Sequence, residues 1–179
     1  MRGAGRRLFR RAVDAQYRLY DRLRHREAQR AASVPDRTGS VDEIGDSGYL
    51  LLTTFKRSGE PVPTPVMFSK RDGKLWLRSE PNAKVKRLRA DPRVRVAGCN
   101  ARGKPKTRVY EGRARELPPG EHEGAWRILR EGYSPAIRVY ESVADRAPFE
   151  MAYVVVLAVE NGEPSWHAGD TETASHIGR

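Results

Sequence analysis

Six short strands, joined mostly by hairpins and with the helices arriving late, predict a mainly β fold, a small six-stranded antiparallel barrel. Three observations carry this. The apolar run Leu50–Phe55 and the proline-spaced run Val62–Phe68 flank a turn at Arg57-Ser58-Gly59-Glu60. Arg71-Asp72-Gly73-Lys74 is a hairpin signal, because Asp-Gly fits the type I′ turn. Alternation returns in Leu75–Ser79, Arg93–Asn100 and Thr107–Glu116, and Met151–Val159 is apolar enough to be central in a sheet.

Taken in order, the chain begins with a basic amphipathic segment. Leu8, Ala12, Ala15, Leu19 and Leu23 share one face of a helix predicted over Leu8–Ala32. Residues 1–37 hold 11 Lys/Arg against 4 Asp/Glu. Three roles compete, in this order of preference: docking on the domain or a partner subunit, lying on an anionic membrane surface, and touching nucleic acid nonspecifically. Ser33–Asp46 has no periodicity and reads as a linker. The organisation is a helix and linker over 1–37, a barrel domain over 38–170 and a loose tail over 171–179.

Within the barrel, Pro63 and Pro65 confine the second strand to an edge or a bulge. They remove backbone donors and leave carbonyls that a flat ring could approach. After the third strand, Glu80-Pro81 stops extended pairing. Asn82 is a good N-cap, and Ala83–Ala90 is a short helix ended by Asp91-Pro92. Glu121–Arg130 and Ala136–Val143 read as two helices broken at Gly132-Tyr133-Ser134-Pro135, and Glu163–Ala168 as a short last strand.

Net charge is +11, but residues 74–109 alone hold 12 basic and 2 acidic residues. That segment expects an anionic ligand. The helix starting at Ala83 aims free N–H groups and a partial positive charge at the preceding strand end. Lys84 in its first turn completes a seat for a phosphate. The ordinary alternative is a solvated helix face.

Other chemistries are poorly served. No GxGxxG follows a strand, and no P-loop lysine or GxSxG elbow occurs. His25, His122, His167 and His176 lack ligand spacing, so no metal site is expected. Cys99 is the single cysteine, read as a small buried hydrophobe. With no bilayer-length apolar run and no signal-type apolar stretch, the chain is expected in the cytoplasm, with peripheral membrane contact open.

The stretch LLTTFKRSGEPVPTPVMFSKRDGKLWLRSEPNAKVKRLRADPRVRVAGCNARGK is similar to the split-barrel flavin and deazaflavin oxidoreductases. These are the pyridoxamine-phosphate-oxidase-like proteins, and specifically their coenzyme F420-dependent branch. The similarity covers Tyr49–Glu116 well and the strand to Val159 loosely. It implies a homodimeric split barrel with the cofactor between subunits. It makes Lys84 the lysine that holds the cofactor phosphate, with Asn82 and Ala83 just before it. Lys86 and Arg87 would line the anionic tail, and Ser79 would contact the phosphate. Thr64, Pro65 and Val66 would present backbone to the ring, and Thr54 would be a further cofactor-binding residue. Some relatives carry arginine at the position of Asn82.

The implied cofactor is F420, with FMN as the alternative. The implied reaction is hydride transfer to a small organic acceptor. The long polyanionic tail of the deazaflavin suits the basic segment better than the single phosphate of FMN. A proton donor, if one is used, would be Tyr110, Tyr133 or Tyr140, and Trp126 and Trp166 could wall the substrate pocket. The ordinary role of all five is packing. A specific nucleic-acid partner is not expected. The remaining alternative is a non-enzymatic cofactor carrier or membrane module.

Overall fold

The computed structural model describes residues 26–31, 40–45, 48–133, 135, 138 and 155–161. The strands are β1 Tyr49–Phe55, β2 Pro61–Arg71, β3 Lys74–Ser79, β4 Arg93–Cys99, β5 Tyr110–Glu116 and β6 Val155–Asn161. The helices are α1 Arg26–Ala31, α2 Ala83–Ala90 and α3 His122–Gly132. The strands close a barrel in the order β1-β2-β3-β6-β5-β4, every pair antiparallel. The expected six-stranded antiparallel barrel is the fold.

Alternation fills the interior. Leu50, Leu52, Val66, Phe68, Leu75, Leu77, Val94, Val96, Ala114 and Val159 pack inward in one cluster. The ends of the barrel are closed by short elements outside the sheet. Val85 and Leu88 of α2 join the cluster at one end, Val41 and Ile44 at the other. The second plug corrects the reading of Ser33–Asp46 as a featureless linker. Ser40–Ile44 is a capped single turn, with the Asp42 N–H donating to Ser40 Oγ and the Ser40 N–H to Glu43 Oε1. Ser40 and Glu43 stand at capping-box spacing, and the absence of a long apolar run hid a one-turn element.

Two helices cover the outer wall. Ala28 of α1 is buried against Leu51, Ala97, Cys99 and Val109. In its described part, the basic N-terminal segment therefore docks on its own domain. Met67 and Trp76 pack beneath Ala125, Leu129 and Tyr133 on the α3 side. Gly132 lets α3 come close, since a Cβ there would lie 2.6 Å from Ser69 Cβ and Oγ. Ser69 Oγ donates to the Leu129 carbonyl at 2.9 Å across the same contact.

β2 changes partner along its length. Tyr49–Phe55 pairs with Pro61–Met67, whereas β3 pairs with Phe68–Arg71. Among the described residues, Pro61–Met67 therefore has a ladder on one side only, and the wall is split there. This is why two prolines fit a strand of a closed barrel. Pro61, Pro63 and Pro65 oppose Phe55, Thr53 and Leu51. At alternate positions of an antiparallel ladder the N–H and C=O point away from the partner, so a missing N–H breaks no bond. The Pro61 carbonyl, on the free side, accepts from Gln29 Nε2 at 3.2 Å.

Other expectations shift by a few residues. β2 continues three residues past Phe68 as the long partner of β3. β5 begins at Tyr110 rather than Thr107, because Thr107 Oγ1 accepts the Gly98 N–H at 2.9 Å and folds the preceding stretch onto β4. β6 runs two residues past Val159 and lies between β3 and β5, the central place its composition required. The Asp72-Gly73 turn has both residues at positive φ, 53° and 69°, as type I′ demands. Most of the helix over Leu8–Ala32, the segments 139–143, 151–154 and 163–168, the 171–179 tail, Tyr140 and Trp166 lie outside the described residues.

Candidate functional site

The site is built where β3 ends and α2 begins. Asn82 has the extended backbone of an N-cap, φ −113°, and its Oδ1 accepts the Lys84 N–H at 3.0 Å. The Asn82 N–H in turn donates to the Glu80 carbonyl at 2.8 Å. Ser79 is buried, its Oγ donating to the same carbonyl at 2.9 Å. The strand end and the helix start are thus locked by short-range bonds.

Lys84 is 8% exposed although it lies in the first turn of a surface helix. Its backbone is fixed by the cap, and its side chain runs inward while Val85 and Leu88 plug the barrel. Among the described residues its Nζ makes no hydrogen bond or ion pair. Burial pulls the ammonium pKa down to about 8, Arg87 pushes it the same way, and Glu80 opposes both. A buried cation with no direct ion pair among the described residues, helped only by the charge of Glu80, costs free energy.

Around it the candidates divide. Arg87 Nε donates to Thr54 Oγ1 at 2.7 Å, joining α2 to the end of β1, and Thr54 is fully buried. Lys86 and Ala83 are exposed beside the seat. Thr64, Pro65 and Val66 lie on the free half of β2, opposite Leu52, Leu51 and Leu50. The β2–β3 ladder stops at Phe68 and Leu77, and its register, continued, sets Ser79 across from Val66. The split therefore brings the β2 candidates and the β3–α2 candidates to its two sides. Thr54, Ser79, Asn82, Ala83, Lys84, Lys86 and Arg87 cluster at one rim, and Thr64, Pro65 and Val66 form the other. Sequence reasoning missed Gln29, which holds the start of that second rim. It also missed Glu80, whose carbonyl fixes the seat. Neither stands in a motif.

The basic segment over residues 74–109 does not act as one patch. Lys74 meets Glu160 at 2.7 Å, Arg89 meets Glu116 at 2.8 Å, Arg93 meets Asp91 at 2.8 Å and Arg95 meets Glu111 at 3.6 Å. Arg78 is buried on the outer wall with its guanidinium 4.8 Å from the Trp126 ring centre. That stacking places Trp126 in wall packing with α3, over the residue that precedes Ser79. Much of the apparent excess is thus balanced by acids distant in sequence. Arg102, Lys104, Lys106 and Arg108 stand beyond the far end of β4. The basic residues at the seat itself are Lys84, Lys86 and Arg87.

Other candidates resolve simply. Burial pushes the Cys99 thiol up to about 12, so no thiolate is available at neutral pH. Tyr110 donates its hydroxyl to Glu43 Oε2 at 2.9 Å, at the barrel end opposite α2. Tyr133 packs with α3 on the outer wall. Among the described residues no group of His, Cys, Asp or Glu could hold a metal ion, and no helix is long and apolar enough to cross a membrane.

A family model described as pyridoxamine 5'-phosphate oxidase matches residues 40–162. A comparison with curated proteins finds no match. Among solved structures, the chain is similar to an F420-H2 dependent reductase, with 25% identity over 66% of this chain and 98% of that one and a TM-score of 0.45. It is also similar to a FAD-binding protein from Mesorhizobium loti, with 22% identity over 64% of this chain and 79% of that one and a TM-score of 0.42. A third similar structure is a heme storage protein from Vibrio cholerae, with 12% identity over 66% of this chain and 84% of that one and a TM-score of 0.47.

Proposed function

The chain belongs to the pyridoxamine 5'-phosphate oxidase family, and from that premise we propose that it is an oxidoreductase whose seat at α2 holds the phosphate of coenzyme F420. The observation that carries this is Lys84, a buried cation with no partner among the described residues, beside a capped helix start. A phosphate is the counter-charge that this position lacks. When bound, the deazaflavin supplies the hydride, and a small organic acceptor takes it.

The residues of the chain bind and orient. Lys84 neutralises the phosphate, and Asn82 holds the first turn of α2 in place beneath it. The Ser79 hydroxyl stands at the strand end and would donate to the phosphate by turning away from the Glu80 carbonyl it now meets. Lys86 and Arg87 face the anionic tail, and Arg87 ties that rim to Thr54. On the other rim the prolines of β2 offer carbonyls along an unpaired strand edge, where Pro65, between Thr64 and Val66, presents its backbone to the ring. A second copy of the chain would complete the groove. No side chain at the seat is assigned a proton transfer.

FMN is the second reading, because the ion pairs of Arg89, Arg93 and Arg95 leave less free charge near the seat than the sequence suggested. Fluorescence titration of the purified protein with F420 and with FMN separates the two. Tight binding of F420 alone supports the proposal, tight binding of FMN alone moves the protein to the flavin branch, and binding of neither refutes both.

A further inference from the structure

The loop between β4 and β5 packs against the β2 rim of the candidate site. Gly103 is buried at φ +78°, and a Cβ there would lie 3.7 Å from Pro65 Cγ, 3.4 Å from Leu51 Cδ1 and 3.6 Å from Ala28 Cβ. Pro65 opposes Leu51 in the β1–β2 ladder, on the free half of β2, and Leu51 belongs to the cluster outside the barrel. The loop therefore leans on the outer side of the strand whose open edge borders the split.

Lys104 follows Gly103, and its backbone is fixed on both sides. Its N–H donates to Asn100 Oδ1 at 2.9 Å, and its carbonyl accepts from the Asn100 N–H at 3.1 Å. The Gly103 N–H donates to the Asn100 carbonyl at 2.8 Å, and the Lys106 N–H to the Gly98 carbonyl at 2.7 Å. The turn thus holds Lys104 beside the rim instead of letting it swing with a loose loop. Elsewhere Lys56, Lys74, Arg89, Arg93 and Arg115 each meet a carboxylate. Lys104 is exposed and meets none among the described residues, and no acidic residue occurs from Pro92 to Tyr110.

In both F420 and FMN the phosphate and the ring stand at opposite ends of a ribityl chain, and the glutamate tail of the deazaflavin leaves from the phosphate. With the phosphate at Lys84 and the ring along Pro65, the tail leads away from this loop. A cation on the ring side then faces the place of the acceptor, not the anionic groups of the cofactor. We propose that Lys104 is a specificity residue that holds a carboxylate or phosphate group of the acceptor. The inference rests on the placing of the ring at Pro65 proposed above. The ion pair takes no part in the electron transfer. It orients the acceptor against the ring and selects a charged acceptor over a neutral one of the same shape.

The test uses the full chain loaded with whichever of F420 and FMN binds, in its oxidised form, so that the seat at Lys84 is filled and nothing turns over. Trans-cinnamate and trans-cinnamamide, alike in shape and different in charge, are titrated by fluorescence at low and high salt. The expected result is roughly fivefold tighter binding of cinnamate at low salt, the worth of one exposed ion pair, and no preference at high salt. Lys104→Glu should remove the preference and Lys104→Arg should keep it. Affinity for cinnamamide, affinity for the cofactor and the thermal melt should match the wild type in both variants, which separates loss of selection from loss of folding. Equal or absent binding of the two probes by the wild type, or a preference that survives Lys104→Glu, would overturn the proposal. A fall in cofactor affinity in Lys104→Glu would overturn it too, by giving the loop to the cofactor tail. Failure of the wild type to bind either cofactor would overturn the underlying reading and this inference with it, an outcome distinct from loss of the preference alone.

Discussion

The two ends of the barrel are both closed by a short element, yet they treat buried polar groups in opposite ways. At the end closed by Val41 and Ile44, polar groups meet protein partners. The Lys70 ammonium donates to the carbonyls of Asp42 and Ile44, and the Tyr110 hydroxyl donates to Glu43. At the end closed by α2, Lys84 is buried with no such partner among the described residues. Satisfied groups tie a structure together, whereas an unsatisfied buried charge is a cost that only a ligand can offset. The difference supports the proposal that the α2 end is the one that receives a ligand.

The largest expected effect breaks both ends at once. Leu52 is fully buried between the two plugs, and Leu52→Ala should cost about 2–5 kcal/mol in chemical denaturation, by lost transfer energy and a cavity. Next, Lys84→Met should separate the ends. It removes an uncompensated charge, so the ligand-free protein should be as stable as the wild type or more so, while affinity for the cofactor falls roughly 10- to 100-fold, the value of a charge-assisted bond. Loss of stability instead would mean that Lys84 has an internal role like that of Lys70.

The pH dependence sharpens the same contrast. Lys84 in the free protein loses its proton near pH 8, and a phosphate prefers the charged form. Cofactor affinity should therefore hold below pH 8 and decline above it, by up to about tenfold per pH unit. Stability of the free protein has the opposite sign for this group. The unfolded lysine keeps its proton up to the ordinary lysine range, so stability should rise between about pH 8 and that range, and Cys99, held protonated to about 12, offsets the rise above the ordinary thiol pKa. Lys84→Met should flatten the affinity trend and leave stability to fall above the ordinary thiol pKa through Cys99. The smallest effect belongs to the closed end, where Tyr110→Phe should cost about 1 kcal/mol in denaturant melts and leave cofactor affinity unchanged.

Much of this was legible in the sequence where the signal was local. The Asp72-Gly73 turn, the Asn82 cap, the alternation of Leu75 and Leu77 and the apolar β6 each carry their own physics, and the barrel follows from them. Lys84 was legible as a helix-start lysine, and so as the phosphate seat proposed here, because a cap, a helix start and a lysine lie within three residues. Pro63 and Pro65 announced an edge, although only the register revealed that the strand pairs with β1 in one half and with β3 in the other. What could not be read was long-range. The partners of Lys74, Arg89 and Arg95 lie 86, 27 and 16 residues away, so the charge of the 74–109 segment looked larger than the fold leaves it. The turn at Val41–Glu43 was missed because a single turn has no periodicity, and its apolar residues matter only once a barrel end stands over them.

The central claim is that Lys84 is reserved for a cofactor phosphate. The most direct test is a fluorescence titration of wild-type and Lys84→Met protein with whichever of F420 and FMN binds, each run beside a thermal melt. A loss of affinity of about tenfold or more with an unchanged or raised melting temperature is the predicted result. Equal affinity in the two proteins would contradict it and return Lys84 to the ordinary surface of a basic helix.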